Sequence, residues 1–270
     1  MKRIGLQGTD LEVSRLSFGT ASLHHLPSGR LRQNLLAAAL DQGFTHFDTS
    51  PYYGFGLAEQ ELGRFLWEKR NQVTLATKVG LYAPGSLRQN IATVWLRKGL
   101  GKVIPRLSRP LVDWSVTHAA RSLQSSLRRL RTEFVDILFL HEPSPGVLDS
   151  DEFLTWLLEE KRKGSIRAWG LAGQPEAMEE WIRPSHPLGA VLQVRDSLDH
   201  LEADRVTRVG RELQITFGYL SSTSVSAGQL WPEDVLTRAL ERNRTGSVLV
   251  STRRVERIAK LASTSSQKTQ

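Results

Sequence analysis

The feature that most constrains the fold is a regular alternation running through most of the chain. Short apolar runs of strand length recur at Leu16–Thr20, Thr45–Thr49, Val73–Val79, Val135–His141, Ile166–Ala172, Ala190–Val194, Gln214–Tyr219 and Ser247–Ser251. Between them lie stretches with apolar residues at helical spacing: Arg32–Gln42, Ala58–Trp67, Thr117–Leu130, Ser150–Lys163, Pro175–Trp181, Ala203–Arg211, Pro232–Glu241 and Val255–Leu261. Strand and helix in strict turn give a parallel sheet with right-handed crossovers, because parallel neighbours need a crossover to join them. Eight such units within 270 residues suit a closed α/β barrel, a fold that typically occupies about 250 residues. The competing open sheet normally carries a Gly-x-Gly-x-x-Gly turn after an early strand. Here Gly54-Phe55-Gly56 lacks the third glycine and follows Pro51, so it reads as loop geometry. The expectation is therefore an α/β chain forming a (β/α)8 TIM barrel. An N-terminal β-hairpin should precede it, with strands in Lys2–Gln7 and Leu11–Ser14 about a Gly8-Thr9-Asp10 turn.

One barrel domain over residues 1–262 accounts for the alternation, leaving 263–270 as a polar, unstructured tail. One long connection interrupts the pattern, from Gly80 to Ser115, with three prolines and a candidate helix at Leu87–Lys98. Long βα connections of this kind carry lids and substrate loops. No apolar run reaches the length of a membrane span, and the first residues lack the apolar core of a signal peptide. The absence of cysteine excludes disulfides and thiol catalysis and suits a reducing compartment, so a cytoplasmic location is expected. The net charge of +8 is concentrated between Leu87 and Arg131, where ten Lys/Arg face Asp113 alone among acids. Such a surface attracts phosphorylated cofactors, or is simply a solvated cationic face. No aromatic-rich RNA motif or metal-ligand spacing accompanies it, so neither nucleic acid nor a metal is expected. Composition says nothing of oligomeric state.

In a barrel of this kind the C-terminal strand ends converge on one pocket. The second strand delivers Asp48 there, and its loop, broken at Pro51, delivers Tyr53. The third strand ends in Lys78 and the fourth in His141. Each has an unremarkable reading alone: a turn cap, a snorkelling lysine, a hydrogen-bonded histidine, a ring packed at the rim. On adjacent strands together they assemble an acid, a base and an aromatic hydroxyl around one point.

These residues stand in segments that resemble the aldo-keto reductases. The similarity runs collinearly through Ile4–Leu23, Gly43–Leu66, Ala76–Gly80, Ser122–His141 and Gly164–Gly173. Asp-Thr-Ser-Pro-Tyr-Tyr-Gly and Val-Asp-Ile-Leu-Phe-Leu-His are its most specific phrases, with the aldose and galactose dehydrogenase branch the nearest in wording. The resemblance implies a catalytic tetrad of Asp48, Tyr53, Lys78 and His141. Tyr53 would move the proton, and Lys78 would stabilise the phenolate and be held by Asp48. His141 would orient the carbonyl of an aldehyde, ketone or aldose.

The same resemblance implies NADP(H), with NAD(H) as the alternative, lying across the barrel mouth. Gln193 matches a glutamine that holds the nicotinamide carboxamide, and Phe217 the aromatic that stacks on the ring. Arg253 and Arg257 match the positions that hold the adenosine 2′-phosphate, and the Thr252 hydroxyl stands beside them as a further cofactor-binding candidate, at a helix start where three arginines would otherwise be unfavourably placed. Three departures stand out. Ala172-Gly173 replaces a Ser-Asn pair that should share the carboxamide, Thr216–Ser222 lacks the usual Ser-Pro-Leu, and Leu261 replaces an asparagine. They leave open a barrel that binds nicotinamide as a sensor or docking module with little turnover.

Overall fold

The computed structural model describes residues 1–83, 110–222 and 231–266. Its framework is a closed barrel of eight parallel strands. A hairpin of β1 (Arg3–Gly5) and β2 (Glu12–Ser14) precedes β3 (Leu16–Gly19), and α1 (Gly29–Asp41) leads to β4 (His46–Asp48). Then come α2 (Leu57–Leu66), β5 (Thr74–Val79), and a two-residue pair, β6 (Leu81–Tyr82) and β7 (Leu111–Val112). The chain continues through α3 (Val116–Leu130), β8 (Val135–His141), α4 (Ser150–Lys163), β9 (Ile166–Gly173) and β10 (Val191–Arg195). It ends with α5 (Asp204–Arg208), β11 (Ile215–Phe217), α6 (Tyr219–Ser222), α7 (Pro232–Arg242), β12 (Ser247–Val250) and α8 (Val255–Ser266). Around the barrel the order is β3, β4, β5, β8, β9, β10, β11, β12, and β12 pairs with β3 to close it. All eight predicted strands are present, and so is the hairpin.

Strand alternation divides the apolar residues into two cores. Outward-facing residues such as Phe47, Leu75, Leu138 and Leu171 pack beneath the helices. Inward-facing Ala76, Ile137, Phe139, Ala168, Ala172, Val191 and Ile215 fill the barrel, and Leu6, Leu11 and Val13 of the hairpin close its floor. The small Ala76, Ala168 and Ala172 leave room for the larger Phe139. Because side chains alternate, one step further up these same strands decides what faces the mouth.

The longer helices carry conventional ends. Ser115 accepts the His118 N–H to start α3, and Asp149 accepts the Asp151 and Glu152 N–H groups to start α4. Gly164 ends α4 at φ 79. Two predicted helices are much reduced. Pro175–Trp181 yields only a 3-10 turn over Pro175–Met178, and Ala203–Arg211 only the five residues of α5. Segments this short gain too few hydrogen bonds to offset helix nucleation. At the end of the chain, α8 continues through Ser266, so the first part of the expected tail is helical. The expected helix at Leu87–Lys98 lies outside the described residues; the β6–β7 pair, which the sequence reading did not foresee, ties the base of that connection.

Candidate active site

Four inward positions at the strand tops form the floor of the mouth. His46 and Asp48 flank the outward Phe47, and Lys78 stands two residues beyond inward Ala76. His141 stands two beyond Phe139, and Gln193 two beyond Val191. The register aligns His141 with Ala172 and Ala172 with Gln193, which makes them one layer. Phe217, two beyond inward Ile215, lies one step higher at the end of β11.

Asp48 and Lys78 form a buried ion pair in direct contact, and Lys78 Nζ also donates to Thr49 O at 3.0 Å. Their exposures are 1% and 2%, so each charge is held away from water by the other and by hydrogen bonds. Burial lowers the Lys78 pKa, opposed by the charge and hydrogen bond of Asp48. Gln193 reaches across the barrel and donates Nε2–H to Asp48 Oδ1 at 2.9 Å, leaving its own Oε1 buried and without a partner among the described residues. Behind the pair, outward Thr77 donates to Glu59 Oε1 at 2.6 Å while Arg129 Nε donates to Glu59 Oε2 at 2.6 Å. That network fixes β5 against α2 and α3.

Tyr53 arrives on a tight loop. Its N–H donates to Ser50 O at 3.0 Å, and the next three residues all have positive φ: Gly54 at 58, Phe55 at 55 and Gly56 at 89. Gly54 also lies so close to His24 that a Cβ would sit 2.4 Å from that side chain. The bend places the Tyr53 ring 5.1 Å from Lys78 Nζ and edge-on to the His141 ring, with centroids 6.1 Å apart at 90°.

The electrostatics differ from the sequence expectation at one point. Burial, then the negative charges of Asp48 and Glu142, push the Tyr53 pKa well above that of an ordinary phenol. Lys78, 5.1 Å from the ring and paired with Asp48, does not outweigh them. Tyr53 is thus firmly protonated. Burial, reinforced by Lys78, pushes the His141 pKa well below the ordinary imidazole value. The ring is neutral, and its Nδ1 is buried without a partner among the described residues.

The predicted phosphate-side residues sit at the start of α8. Thr252 is buried and its Oγ1 accepts the Arg254 N–H at 3.2 Å, shaping the entry to the helix. Arg253, Arg254 and Arg257 are exposed at the positive end of the helix dipole. The sequence reading did not single out Glu142, Glu59, or the Gln193–Asp48 bond. A carboxylate directly after a strand-end histidine was the one available signal for Glu142.

A family model described as the aldo/keto reductase family matches residues 15–246. The chain belongs to the aldo/keto reductase family. It is 28% identical over 222 residues to an aldo-keto reductase named YhdN from Bacillus subtilis, covering 80% of this chain and 60% of the relative. It is 29% identical over 194 residues to L-galactose dehydrogenase from Arabidopsis thaliana, covering 69% of this chain and 53% of the relative. The matches thus span somewhat more than half the length of these relatives. Among solved structures, an aldo-keto reductase from Klebsiella pneumoniae in complex with NADPH superposes with a TM-score of 0.69 at 19% identity, covering 98% of this chain and 89% of that one. That likeness is one of fold. Among the described residues, no helix is long and apolar enough to cross a membrane, and no His/Asp/Glu cluster is arranged to hold a metal.

Proposed function

We propose that the chain is an NADP(H)-dependent oxidoreductase that interconverts carbonyl compounds and alcohols, with Tyr53 as general acid and base. The observation that carries this reading is a protonated phenol beside a buried ion pair and a neutral histidine at one barrel mouth. Nicotinamide, when bound, supplies the hydride that adds to the carbonyl carbon. Tyr53 gives its proton to the carbonyl oxygen, and the resulting phenolate gains from the Lys78 ammonium nearby. Asp48 keeps Lys78 charged in a buried site and limits its freedom to move. Neutral His141 has a ring N–H to offer the carbonyl oxygen and does not compete as a proton donor.

The cofactor's residues fit in part. Gln193 Oε1, buried without a partner, suits a donor such as a carboxamide, and Phe217 at the mouth suits a ring face. Arg253 and Arg257 suit a phosphate, which favours NADPH over NADH. Aldehydes, ketones and sugar hemiacetals are the substrate class, the last in line with the name of the Arabidopsis relative. A cytoplasmic location remains part of the proposal. A second reading, a nicotinamide sensor with little turnover, has Ala172 and Gly173 on its side, since neither offers a side-chain donor or acceptor.

Titration of the purified protein with NADPH and NADH, followed by nicotinamide fluorescence, is the first test. Absorbance assays against a panel of aldehydes and aldoses are the second. Tighter binding of NADPH together with turnover is expected. Binding without turnover across the panel would establish the sensor, and binding of neither cofactor would remove both readings.

A further inference from the structure

The ring of Phe217 joins neither of the two cores among the described residues. Core packing therefore does not set its direction, and that task falls to the backbone that carries it. The backbone there is poor in stiffness of its own. β11 ends at Phe217, Gly218 follows at φ 107, and no proline stands in residues 216–222.

A buried carboxylate beside the neighbouring strand supplies the hold. Asp196 follows β10 directly, is 0% exposed, and donates its N–H to Phe217 O at 2.8 Å. Its side chain gathers donors from three further places in the chain. Oδ2 accepts the Tyr219 hydroxyl at 2.6 Å, and Oδ1 accepts the Ala203 N–H at 3.1 Å. Arg242, at the end of α7, donates to both oxygens, and its Nη2 also donates to Asp204 Oδ1 at 2.7 Å. The next residue, Asn243, donates Nδ2–H to Thr216 Oγ1 at 2.9 Å. The strand end is thus gripped on both sides of Phe217 as well as at its own carbonyl. Of these contacts, the Tyr219 bond closes the stretch across Gly218, two residues beyond the ring. Tyr219 is 2% exposed, and burial, then the Asp196 charge, push its pKa well above that of an ordinary phenol, so the hydroxyl stays a donor at any working pH. A charged acceptor fixes such a donor in distance and direction, which an apolar contact would not do.

We propose that Tyr219 and Asp196 are positioning residues for the nicotinamide end of the site: their hydrogen bond closes the Phe217–Gly218–Tyr219 stretch and holds the Phe217 ring at the mouth. Both act through Phe217. The inference rests on the carbonyl-reductase reading above, and adds to it the means by which a segment without Ser-Pro-Leu keeps its aromatic ring in place.

The test uses the full chain and two variants that remove the Tyr219 hydroxyl, Tyr219→Phe and Tyr219→Met, whose different packing means that either one, once folded, decides the matter. In both, Asp196 keeps Arg242 and the Ala203 N–H, so no buried charge is stranded. Calorimetry compares NADPH with adenosine 2′,5′-bisphosphate, a fragment that has the 2′-phosphate but no nicotinamide. Loss of the hydroxyl should weaken NADPH binding about three- to tenfold and leave the fragment unchanged. In a Phe217→Leu background, with no ring left to position, the same loss should change the affinity for neither. A merely structural Tyr219 would lower the melting temperature and leave NADPH affinity alone, or weaken NADPH and the fragment equally. Either result overturns the proposal, and so does an undiminished loss in the Phe217→Leu background; binding of NADPH by the parent protein leaves the broader reading standing in each case. Failure of the parent to bind NADPH removes both.

Discussion

The two halves of the barrel are built differently. From β3 to β8 the strands are backed by full helices: α1 has 13 residues, α2 has 10 and α3 has 15. Between β9 and β11 the connections hold only 3-10 turns of four and three residues and the five-residue α5, and a longer helix returns with the 11 residues of α7 after β11. The first half carries Asp48, Tyr53, Lys78 and His141, and the Glu59–Thr77–Arg129 network holds β5 from behind. The second half carries Gln193, Phe217 and the bare Ala172-Gly173 end, with Glu142 strained against it. Proton transfer depends on sub-ångström placement, and rigid helices behind short strands supply it. On the reading proposed above, ligand anchoring falls to individual side chains on shorter supports, where replacement of one group by another is easier.

The comparison breaks most readily at Tyr53. Tyr53→Phe should fold and bind NADPH as the parent does, and lose turnover by ~10²–10⁴-fold, the usual contribution of a positioned general acid. Steady-state kinetics with a good aldehyde reads this, and full activity would remove Tyr53 from its role. In the parent, carbonyl reduction should be flat through neutral pH, because Tyr53 stays protonated and His141 stays neutral. It should fall on the alkaline side at a pH below the ordinary lysine value, where Lys78, lowered by burial, gives up its proton and leaves Asp48 uncompensated. A decline set instead by a group titrating near neutrality would contradict this order.

Next in size is the ion pair. Lys78→Met leaves a carboxylate at 1% exposure with Gln193 as its one remaining side-chain hydrogen-bond donor among the described residues, and should cost ~3–5 kcal/mol of stability. Urea denaturation measures it, and Asp48→Asn combined with Lys78→Met should regain much of the loss. In the other half, Gly173→Ala must displace the Glu142 carboxylate, at about 1–3 kcal/mol. Adding Glu142→Gly should abolish that penalty. Simple additivity in the double variant would mean that the two residues do not press on one another.

The barrel was legible because its signal is repetition: each strand is apolar, short and followed by a helix, so errors of a residue or two at the ends do not disturb the topology. The boundaries of β8 and α4 were read as they stand, whereas the weakly amphipathic segments after β9 and β10 were overread as full helices. Strand parity puts Asp48 and Lys78 on the inward face, and their pairing was implied by the family resemblance. What parity does not encode is how one side chain answers another across the barrel, so the Gln193–Asp48 bond was invisible. Glu142 escaped for a different reason. Its position depends on a left-handed backbone just before Pro143, a conformation that neither residue type favours and that only the surrounding fold imposes.

The smallest expected effect lies farthest from the chemistry, at the start of α8. Arg253, Arg254 and Arg257 are exposed and make no ion pair among the described residues, so they do little for stability as they stand. Repulsion among them and from the helix dipole favours an anion there. Arg253→Ala and Arg257→Ala should each weaken NADPH binding roughly three- to tenfold, the low end for charged hydrogen bonds because the site is open to water. NADH, which lacks the 2′-phosphate, should bind both variants as it binds the parent. Raising ionic strength should shrink the NADPH advantage in the parent and leave the variants nearly unchanged, since screening acts on the exposed charges that the variants have lost. Equal losses for both cofactors would move these arginines from phosphate recognition to general support of the helix, and the preference for NADPH would need another source on the same half of the barrel.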